Sequence, residues 1–143
     1  MSIALDEAQA AFERGEVPVG AVLMRGERIL ARAGNRTIEL SDPTAHAEIL
    51  VIREACASMR SQRLPGCDLY VTLEPCTMCA TAISFARIRR LYFGAGDPKS
   101  GAVENGVRFY QQLTCHHAPE VYSGIGEFAA GQLLRQFFEE RRR

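Results

Sequence analysis

Two short motifs constrain the folding of this chain more than any other feature of its sequence. His46 and Glu48 form an H-x-E motif, and Pro75 precedes Cys76 and Cys79 in a P-C-x-x-C motif. One histidine and two cysteines are typical zinc ligands, and a zinc site with three protein ligands leaves its fourth position to water, as catalytic sites do. The chain must therefore bring two distant segments together around one metal ion, with the Glu48 carboxylate left over for proton transfer.

Both motifs are predicted to open helices. Thr44 is a candidate N-cap, and apolar residues recur at helical spacing over residues 45–59, which puts His46 in a first turn. The P-C-x-x-C motif follows an apolar strand at residues 69–73 and is predicted to begin a helix that runs toward Ala86. Its two cysteines share one helix face, and the positive end of the helix dipole favours the thiolates that a metal needs.

The charge of such a site indicates its chemistry. Two thiolates and a neutral imidazole cancel the charge of Zn²⁺, so the metal is a moderate Lewis acid that lowers the pKa of bound water and benefits from a nearby base. Glu48 can take a proton from that water and later deliver it to a ring nitrogen and a leaving amine of the substrate. Attack of hydroxide on an amine-bearing aromatic ring carbon is deamination.

Each motif alone has a simpler interpretation. An isolated C-x-x-C occurs in redox pairs and in half of a zinc knuckle, and an isolated H-x-E occurs in ordinary helices. Both motifs together, in this order and each near a predicted helix start, favour a deaminase-type zinc site over a purely structural zinc module.

Similarity to one known family extends beyond the two motifs over nearly the whole chain. It is carried by residues 16–22 (EVPVGAV), 34–36 (GNR), 42–48 (DPTAHAE), 69–79 (LYVTLEPCTMC), 87–90 (RIRR), 93–95 (FGA) and 137–138 (FF). In these segments the chain resembles the bacterial tRNA-specific adenosine deaminases of the cytidine/deoxycytidylate deaminase superfamily.

The resemblance implies a single zinc-dependent deaminase domain at residues 1–143. One Zn²⁺ per subunit would be held by His46, Cys76 and Cys79, and Glu48 would be the catalytic proton shuttle. The implied reaction is hydrolysis of adenosine to inosine at the wobble position of a tRNA, the arginine tRNA with anticodon ACG, with release of ammonia. The anticodon stem-loop is then the partner, and its unpaired base lowers the cost of extrusion.

The resemblance also implies substrate-binding residues. Asn35 matches an asparagine that recognises the flipped adenine and its sugar, and the backbone of Ala47 is expected to contact the base. Asp97 and Lys99 match loop positions near the flanking nucleotides. Two of these residues have simpler roles open to them, because Asn35 could adopt a left-handed turn and Asp97 could start the turn at Pro98.

Charge gives a more restrained indication of an RNA partner. The chain has 17 basic and 17 acidic residues, so it lacks the overall positive charge of a nonspecific nucleic-acid binder. Two local clusters of basic residues could contact phosphates. Phe138 and Arg141, in the cluster at the end of the sequence, are candidates for substrate binding. Equally, late basic residues favour a helix dipole and phenylalanines on a terminal helix are commonly core. The clusters are Arg87, Arg89 and Arg90, and Arg141 to Arg143 beside Phe137 and Phe138.

Periodicity and turns predict an α/β fold. The pattern indicates a three-layer α/β/α sandwich with a mixed central sheet, helices on both faces and the zinc at the helix-bearing end of the sheet, which is the cytidine deaminase-like fold that the resemblance implies. The remaining predicted elements are helices at residues 3–14 and 128–143, a hairpin of strands 19–24 and 28–33, and strands at 91–94 and near Val121.

The cysteine content does not indicate a disulfide framework. Of five cysteines, two are assigned to the metal, and Cys56, Cys67 and Cys115 are expected to be free thiols. Cys115, His116 and His117 could bind a second metal ion, but no further ligand cluster accompanies them and such tracts are often loops.

Partners and location are predicted with less detail. The resemblance implies a homodimer, for which the sequence offers only Ile83, Phe85 and Ile88, which fit a core equally well. No apolar stretch reaches the roughly 18 residues of a membrane span and no secretory signal is recognisable, so a cytoplasmic location is expected.

Two other functions compete with tRNA deamination. A deaminase of the same fold could act on a small molecule, such as guanine, cytosine or a free nucleoside, and only the pocket walls decide that choice. A noncatalytic zinc-stabilised RNA-binding subunit is the second, although a structural zinc site has no evident use for Glu48.

Overall fold

Nine regular elements form the part of the chain that the computed structural model describes, residues 1–141. In chain order they are α1 (Ser2–Glu13), β1 (Gly20–Arg25), β2 (Arg28–Gly34), α2 (Ala47–Met59), β3 (Asp68–Leu73), α3 (Thr77–Phe85), β4 (Arg90–Ala95), β5 (Glu120–Tyr122) and α4 (Glu127–Arg141). A short 3₁₀ helix at Phe109–Gln111 lies between β4 and β5. The predicted elements are all present within residues 1–141, with bounds shifted by a residue or two, and residues 142 and 143 of the last predicted helix lie outside the described part.

The five strands form one mixed sheet in the order β2-β1-β3-β4-β5. β1 pairs antiparallel with both β2 and β3, whereas β3, β4 and β5 pair in parallel. Because β2 and β3 both run opposite to β1, they run in the same direction and end at the same edge of the sheet. The helices that follow them, α2 and α3, therefore begin at one edge, and this brings the two motifs together.

The helices cover the sheet on both faces, as predicted. α1 and α4 contact each other and one face, and α2 and α3 contact each other on the opposite side. Alternate residues of each strand enter the core between the sheet and α2 and α3, as the two-residue period of a strand requires. This core includes Ala21, Leu23, Val51, Ala55, Leu69, Val71, Ile83 and Phe93.

The α1 layer packs unusually close to the sheet because small residues meet there. Ala4 and Ala8 of α1 are fully buried, and a Cβ atom at Gly20 would lie 2.0 Å from the Ala4 carbonyl oxygen. Only glycine fits at this crossing. The contact holds the start of β1 in place, directly after the segment that lines the candidate pocket.

One predicted detail of α2 is wrong. Its N-cap residue is His46 rather than Thr44, because the Thr44 backbone N–H and hydroxyl both donate to Asp42 Oδ1, at 2.8 and 2.7 Å. Asp42 therefore closes a local turn that uses Thr44 before the helix begins. Over residues 1–141 no helix is long and apolar enough to cross a membrane.

Candidate active site

The three predicted metal ligands meet at the shared edge of the sheet. His46 Nδ1 lies 3.6 Å from Cys76 Sγ and 3.5 Å from Cys79 Sγ, and the three ligand atoms all lie within 4.8 Å of one another. Tetrahedral Zn²⁺ with ordinary Zn–N and Zn–S bond lengths requires N···S separations of about 3.5 Å. The donor set and its spacing therefore fit a zinc ion. Within residues 1–141 it is the one such group of three.

Helix geometry holds these ligands. His46 and Cys76 are the N-cap residues of α2 and α3, each with an extended backbone, and Cys79 lies in the first turn of α3. The carbonyl of His46 accepts a hydrogen bond from the Leu50 N–H at 3.0 Å, and that of Cys76 from the Ala80 N–H at 2.8 Å. The positive ends of both helices thus face the same point, which favours negatively charged sulfur.

The two cysteines titrate as a pair. A hydrogen bond from the Cys79 thiol lowers the pKa of Cys76 to about 4. A further hydrogen bond from His46 acts in the same direction, and together they outweigh the opposing effect of burial. The same hydrogen bond to Cys76, together with burial, raises the pKa of Cys79 above its usual range. The pair therefore retains one proton between two sulfurs, and a bound dication would displace that proton.

Glu48 lies beside the ligands but is not one of them. It is in the first turn of α2, is only 4% exposed and lines the pocket in front of His46 and Cys76. Burial raises the pKa of Glu48 to about 7. A carboxyl group with a pKa near neutrality can both accept and release a proton, which is what a general acid–base group requires.

A small pocket opens in front of Glu48. Its volume is about 220 Å³, below the roughly 300–1,000 Å³ of pockets for drug-sized ligands. It therefore suits a single ring system. Val17, Val19 and Leu73 form apolar walls, and the polar lining includes Asn35, Thr37, Asp97 and Ser100.

Asn35 has two separable functions in this pocket. It is 8% exposed, and its Oδ1 accepts a hydrogen bond from the Ala47 N–H at 2.8 Å, which satisfies the first N–H group of α2. Its Nδ2 has no hydrogen-bond partner within residues 1–141. Every buried side-chain N or O atom in this part of the chain does have a partner, so Nδ2 is not a buried atom. Nδ2 is therefore an accessible donor in the pocket. Asn35 does not have a positive φ, so the alternative of a left-handed turn is wrong.

Ala47 is fully buried at the start of α2. Its N–H group is committed to Asn35 Oδ1. Contact between the Ala47 backbone and a base stays a prediction.

The predicted loop residues lie after β4. Asp97 lines the pocket, and its Oδ1 accepts hydrogen bonds from the N–H groups of Lys99 and Ser100 at 3.1 and 3.0 Å, so it also forms the turn that the simpler interpretation predicts. Lys99 and Phe138 line an adjoining cavity of about 510 Å³, which shares Val17, Leu73, Asp97 and Ser100 with the pocket. The loop and the last helix thus meet at the pocket entrance.

The last helix separates its two phenylalanines. Phe137 is 6% exposed and packs edge-on against Phe12, as a core residue does, whereas Phe138 is 45% exposed beside the adjoining cavity. Arg141 lies with its guanidinium 4.5 Å from the Phe137 ring centre and donates to the Gly15 carbonyl, so it contacts the end of α1 rather than the pocket. Arg142 and Arg143 of the predicted basic cluster lie outside the described residues.

The other predicted basic cluster lies far from the pocket. Arg89 pairs with Asp68 and Arg90 with Glu120, each at 2.9 Å. These residues stand at the beginning of β3, β4 and β5, whereas the metal ligands follow the end of β3. The charges of Arg89 and Arg90 are therefore already paired, at the opposite edge of the sheet, whereas Arg87 of the same cluster has no ion pair within residues 1–141.

Within residues 1–141, the Cys115 to His117 tract is not part of a group that could hold a second metal ion. Cys115 Sγ donates to the His117 carbonyl at 3.2 Å, and His117 Nε2 lies 2.8 Å from the Ile88 carbonyl oxygen. Both side chains serve to fix the loop backbone. Cys56, Cys67 and Cys115 are free thiols, as predicted.

Two buried carboxylates beside the pocket were missed by sequence reasoning. Glu74 and Glu16 are each 2% exposed and bind backbone N–H groups of loops that line the pocket. The available signal was a charged residue next to an apolar segment, Glu74 after the strand 69–73 and Glu16 before residues 17–23.

Comparison with known proteins agrees with this geometry. A family model for MafB19-like deaminases matches residues 1–142. The chain is 68% identical over 142 residues to a tRNA-specific adenosine deaminase from Agrobacterium fabrum, a match that covers 99% of this chain and 93% of the relative. A relative of the same description from Rickettsia bellii is 44% identical, over 99% of this chain and 99% of the relative. One from Bacillus subtilis is 46% identical, over 100% of this chain and 89% of the relative.

Solved structures confirm the cytidine deaminase-like fold. One from studies of A-to-I editing by tRNA:A34 deaminases at the wobble position of transfer RNA superposes with a TM-score of 0.92 at 67% identity, over 94% of this chain and 97% of that one. A guanine deaminase from Nitrosomonas europaea superposes with a TM-score of 0.81 at 24% identity, over 95% and 81% of the two chains, and shows the fold alone. By this similarity along its whole length, the chain belongs to the family of the tRNA-specific adenosine deaminases.

Proposed function

We propose that this protein converts the wobble adenosine of a tRNA to inosine by hydrolysis and releases ammonia, with the arginine tRNA of anticodon ACG as substrate. The observation that carries the proposal is the buried carboxyl of Glu48 beside the His46, Cys76 and Cys79 donor set, at the floor of a pocket of base size. The tRNA substrate is supported by the name of relatives that match the full chain.

Each residue has a defined part in this reaction. A zinc ion held by the three ligands supplies a Lewis acid that lowers the pKa of water at the site. Glu48 accepts a proton from the attacking water and delivers it to a ring nitrogen of adenine. It then takes the proton of the hydroxyl group newly formed on the ring carbon and delivers it to the amine, which leaves as ammonia. Val17, Val19 and Leu73 exclude bulk water from the ring faces.

The burial of Glu48 within a small pocket favours an unpaired base over one inside a helix. A base in a duplex must be unstacked before it enters such a pocket, whereas an anticodon loop supplies it at lower cost. Once it has entered, the Asn35 Nδ2 group donates a hydrogen bond to the adenosine. Contact of the base with the Ala47 backbone, next to Asn35, is part of the same proposal.

The adjoining cavity is proposed to hold the neighbouring nucleotides. Phe138 offers an exposed ring for stacking, and Lys99 and Asp97 offer charged and polar groups beside it. Arg141 is exposed nearby on α4, and a guanidinium has five donors, so its bond to Gly15 leaves others for a phosphate. This part of the binding should weaken as salt increases.

A homodimer in the cytoplasm is part of the same proposal. Of the three apolar residues predicted for a dimer face, Ile83 and Ile88 are fully buried in the core, whereas Phe85 on α3 is 72% exposed. Val107 and Leu113, which flank the 3₁₀ helix that contacts α3, are also exposed. An apolar surface of this kind suits a second copy of the chain. Light scattering of the wild-type protein and of Phe85→Asp tests this surface.

The assignment is tested with four substrates. The zinc-loaded protein is incubated with an arginine tRNA transcript of anticodon ACG and, separately, with free adenosine, cytidine and guanine, and inosine and ammonia are measured. We expect inosine in the tRNA alone. Turnover of a free base or nucleoside with the tRNA unchanged would make the protein a small-molecule deaminase, and inactivity on all four would favour the noncatalytic zinc-stabilised subunit.

The two functions of Asn35 can be separated by substitution. Asn35→Asp keeps an oxygen for the Ala47 N–H but loses the Nδ2 donor, so we expect wild-type thermal stability and a loss in kcat/KM of at least about tenfold. Asn35→Ala loses both, so it should show a similar kinetic loss and, in addition, about 1–3 kcal/mol less stability from an unpaired buried N–H. Wild-type kinetics in Asn35→Asp would remove Asn35 from substrate recognition.

A further inference from the structure

We propose that Glu74 is a positioning residue whose buried carboxylate holds the loop of residues 96–105 in the shape that closes one side of the substrate pocket. The inference extends the proposed function, since it takes Asp97 and Lys99 of this loop as substrate-facing. Glu74 itself lies between the last residue of β3 and the Pro75 that precedes the ligand Cys76.

The carboxylate gathers both ends of the loop. Oε1 accepts hydrogen bonds from the Asp97 N–H at 2.9 Å and from Asn105 Nδ2 at 2.6 Å. Oε2 accepts three more, from the backbone N–H groups of Val103, Glu104 and Asn105, at 2.9 to 3.0 Å. One side chain therefore connects the start of the loop to its end.

Backbone packing reinforces this attachment. A Cβ atom at Gly101 would lie 2.4 Å from the Glu74 carboxyl carbon, so the loop rests directly on the carboxylate. The Ala102 N–H donates to the Pro75 carbonyl at 2.9 Å, and Gly101 pairs with Cys76 in an isolated β-bridge. The loop is thereby held against the segment that carries a metal ligand.

The partners of Glu74 distinguish it from the catalytic carboxylate. Two carboxylate oxygens offer about four lone-pair sites, and five donors from residues 97–105 occupy them, so Glu74 has no capacity left for proton transfer. Burial alone would raise the pKa of Glu74, but the bonds from Asp97, Asn105 and the other loop amides outweigh it and lower that pKa. The ionised form is the one that the loop requires.

An isosteric amide cannot replace this carboxylate. In Glu74→Gln the NH₂ group must face either the three N–H groups at Oε2 or the two donors at Oε1. Of these donors only the Asn105 side chain can turn its oxygen toward the NH₂ group, so at least one backbone N–H is left in a donor–donor contact. We therefore expect the loop to open locally in this variant while the sheet and α2 remain folded.

The opposite wall of the pocket provides a matched control. Glu16 is equally buried, and its carboxylate accepts hydrogen bonds from the N–H groups of Ile38 and Glu39, at 3.1 and 2.8 Å, next to the pocket residue Thr37. Glu16→Gln removes the same kind of group from a different loop.

The chain allows loop order to be measured without substrate. Lys99 is its single lysine, so endoproteinase Lys-C cuts only after this residue. We expect Glu74→Gln to be cut at least about tenfold faster than wild type, and Glu16→Gln at about the wild-type rate. Asn105→Ala, which removes one of the five donors, should give a smaller increase. Equal cutting of Glu74→Gln and wild type would overturn the proposal.

Two checks separate loop opening from general unfolding. Thermal midpoints measure how much global stability Glu16→Gln and Glu74→Gln lose. If the two losses are similar but only Glu74→Gln is cut faster, the faster cutting reports local opening of the loop. Amide hydrogen exchange should then accelerate at Val103, Glu104 and Asn105 in Glu74→Gln. If both variants are cut equally fast, Lys99 reports global opening and the proposal fails.

Kinetics test the consequence for the substrate. With one zinc per chain retained, Glu74→Gln should raise KM for the tRNA by about tenfold or more and change kcat by less than about threefold. A merely structural role would instead reduce the active fraction, which lowers kcat at unchanged KM and would overturn the proposal. If the wild-type protein does not deaminate the tRNA, the proposed function fails while the Lys-C result remains interpretable.

Discussion

A Glu48→Ala variant is expected to remain folded and zinc-loaded while losing nearly all turnover. General acid–base groups contribute about 10² to 10⁴-fold to kcat. The Glu48 carboxyl is buried beside the metal ligands, whereas the oxygens of the neighbouring Glu74 are occupied by loop donors. Zinc should stay at one ion per chain because the donor set does not include Glu48. Inosine formation in the tRNA and elemental analysis of the same preparation measure both quantities.

The control for this variant lies on the same helix. Glu54 is an exposed residue of α2, and Glu54→Ala removes an equal charge from the solvent side. It should retain wild-type kcat and zinc. If Glu48→Ala stayed active, Glu48 would not be the proton shuttle, and if it lost its zinc, the carboxylate would have to be counted among the groups that hold the metal.

A Cys79→Ala variant is expected to lose zinc and, with it, activity. Cys79 is fully buried and supplies one of the three ligand atoms, so its removal leaves two protein ligands. Changes to groups that merely support metal ligands already cost about 10 to 100-fold in affinity, and loss of a ligand should exceed this. Zinc binding also contributes to folding stability, so the thermal midpoint of Cys79→Ala should lie below that of the zinc-loaded wild-type protein.

The remaining cysteines offer a comparison for Cys79. Cys56 lies half-buried on α2, away from the ligand group, so Cys56→Ala should keep one zinc per chain. Zinc content per chain after dialysis separates the two variants. Unchanged stoichiometry in Cys79→Ala would remove Cys79 from the ligand set and leave His46 and Cys76 to be joined by another residue.

Local patterns in the sequence predicted the elements of the fold closely. Helices and strands follow from periods of 3.6 and two residues, which are properties of neighbouring side chains and need no knowledge of distant ones. The mixed sheet and the two helical layers follow from the order of those elements. Within residues 1–141, apart from bounds that shift by a residue or two, the changed detail is the N-cap of α2, where His46 takes the position expected for Thr44.

Partners far along the chain explain the other differences. Arg89 and Arg90 read as a free basic cluster, yet their carboxylate partners Asp68 and Glu120 lie 21 and 30 residues away in sequence. The sequence places Arg141 in a basic tail, and the structure shows one of its donors bound to Gly15 near the other end of the chain, with its other donors left for the proposed phosphate contact. No local pattern contains these pairings.

By itself the sequence determined which chemistry is present: a His, Cys, Cys donor set, a spare carboxylate, and the helix starts that carry them, because donor types and short spacings are properties of the chain alone. Only the tertiary structure decided how that chemistry is surrounded. It assigned Asn35 Oδ1 to the first turn of α2 and saturated Glu74 with donors from residues 97–105. Buried polar groups must find partners wherever the fold brings them, and here those partners come from distant parts of the chain.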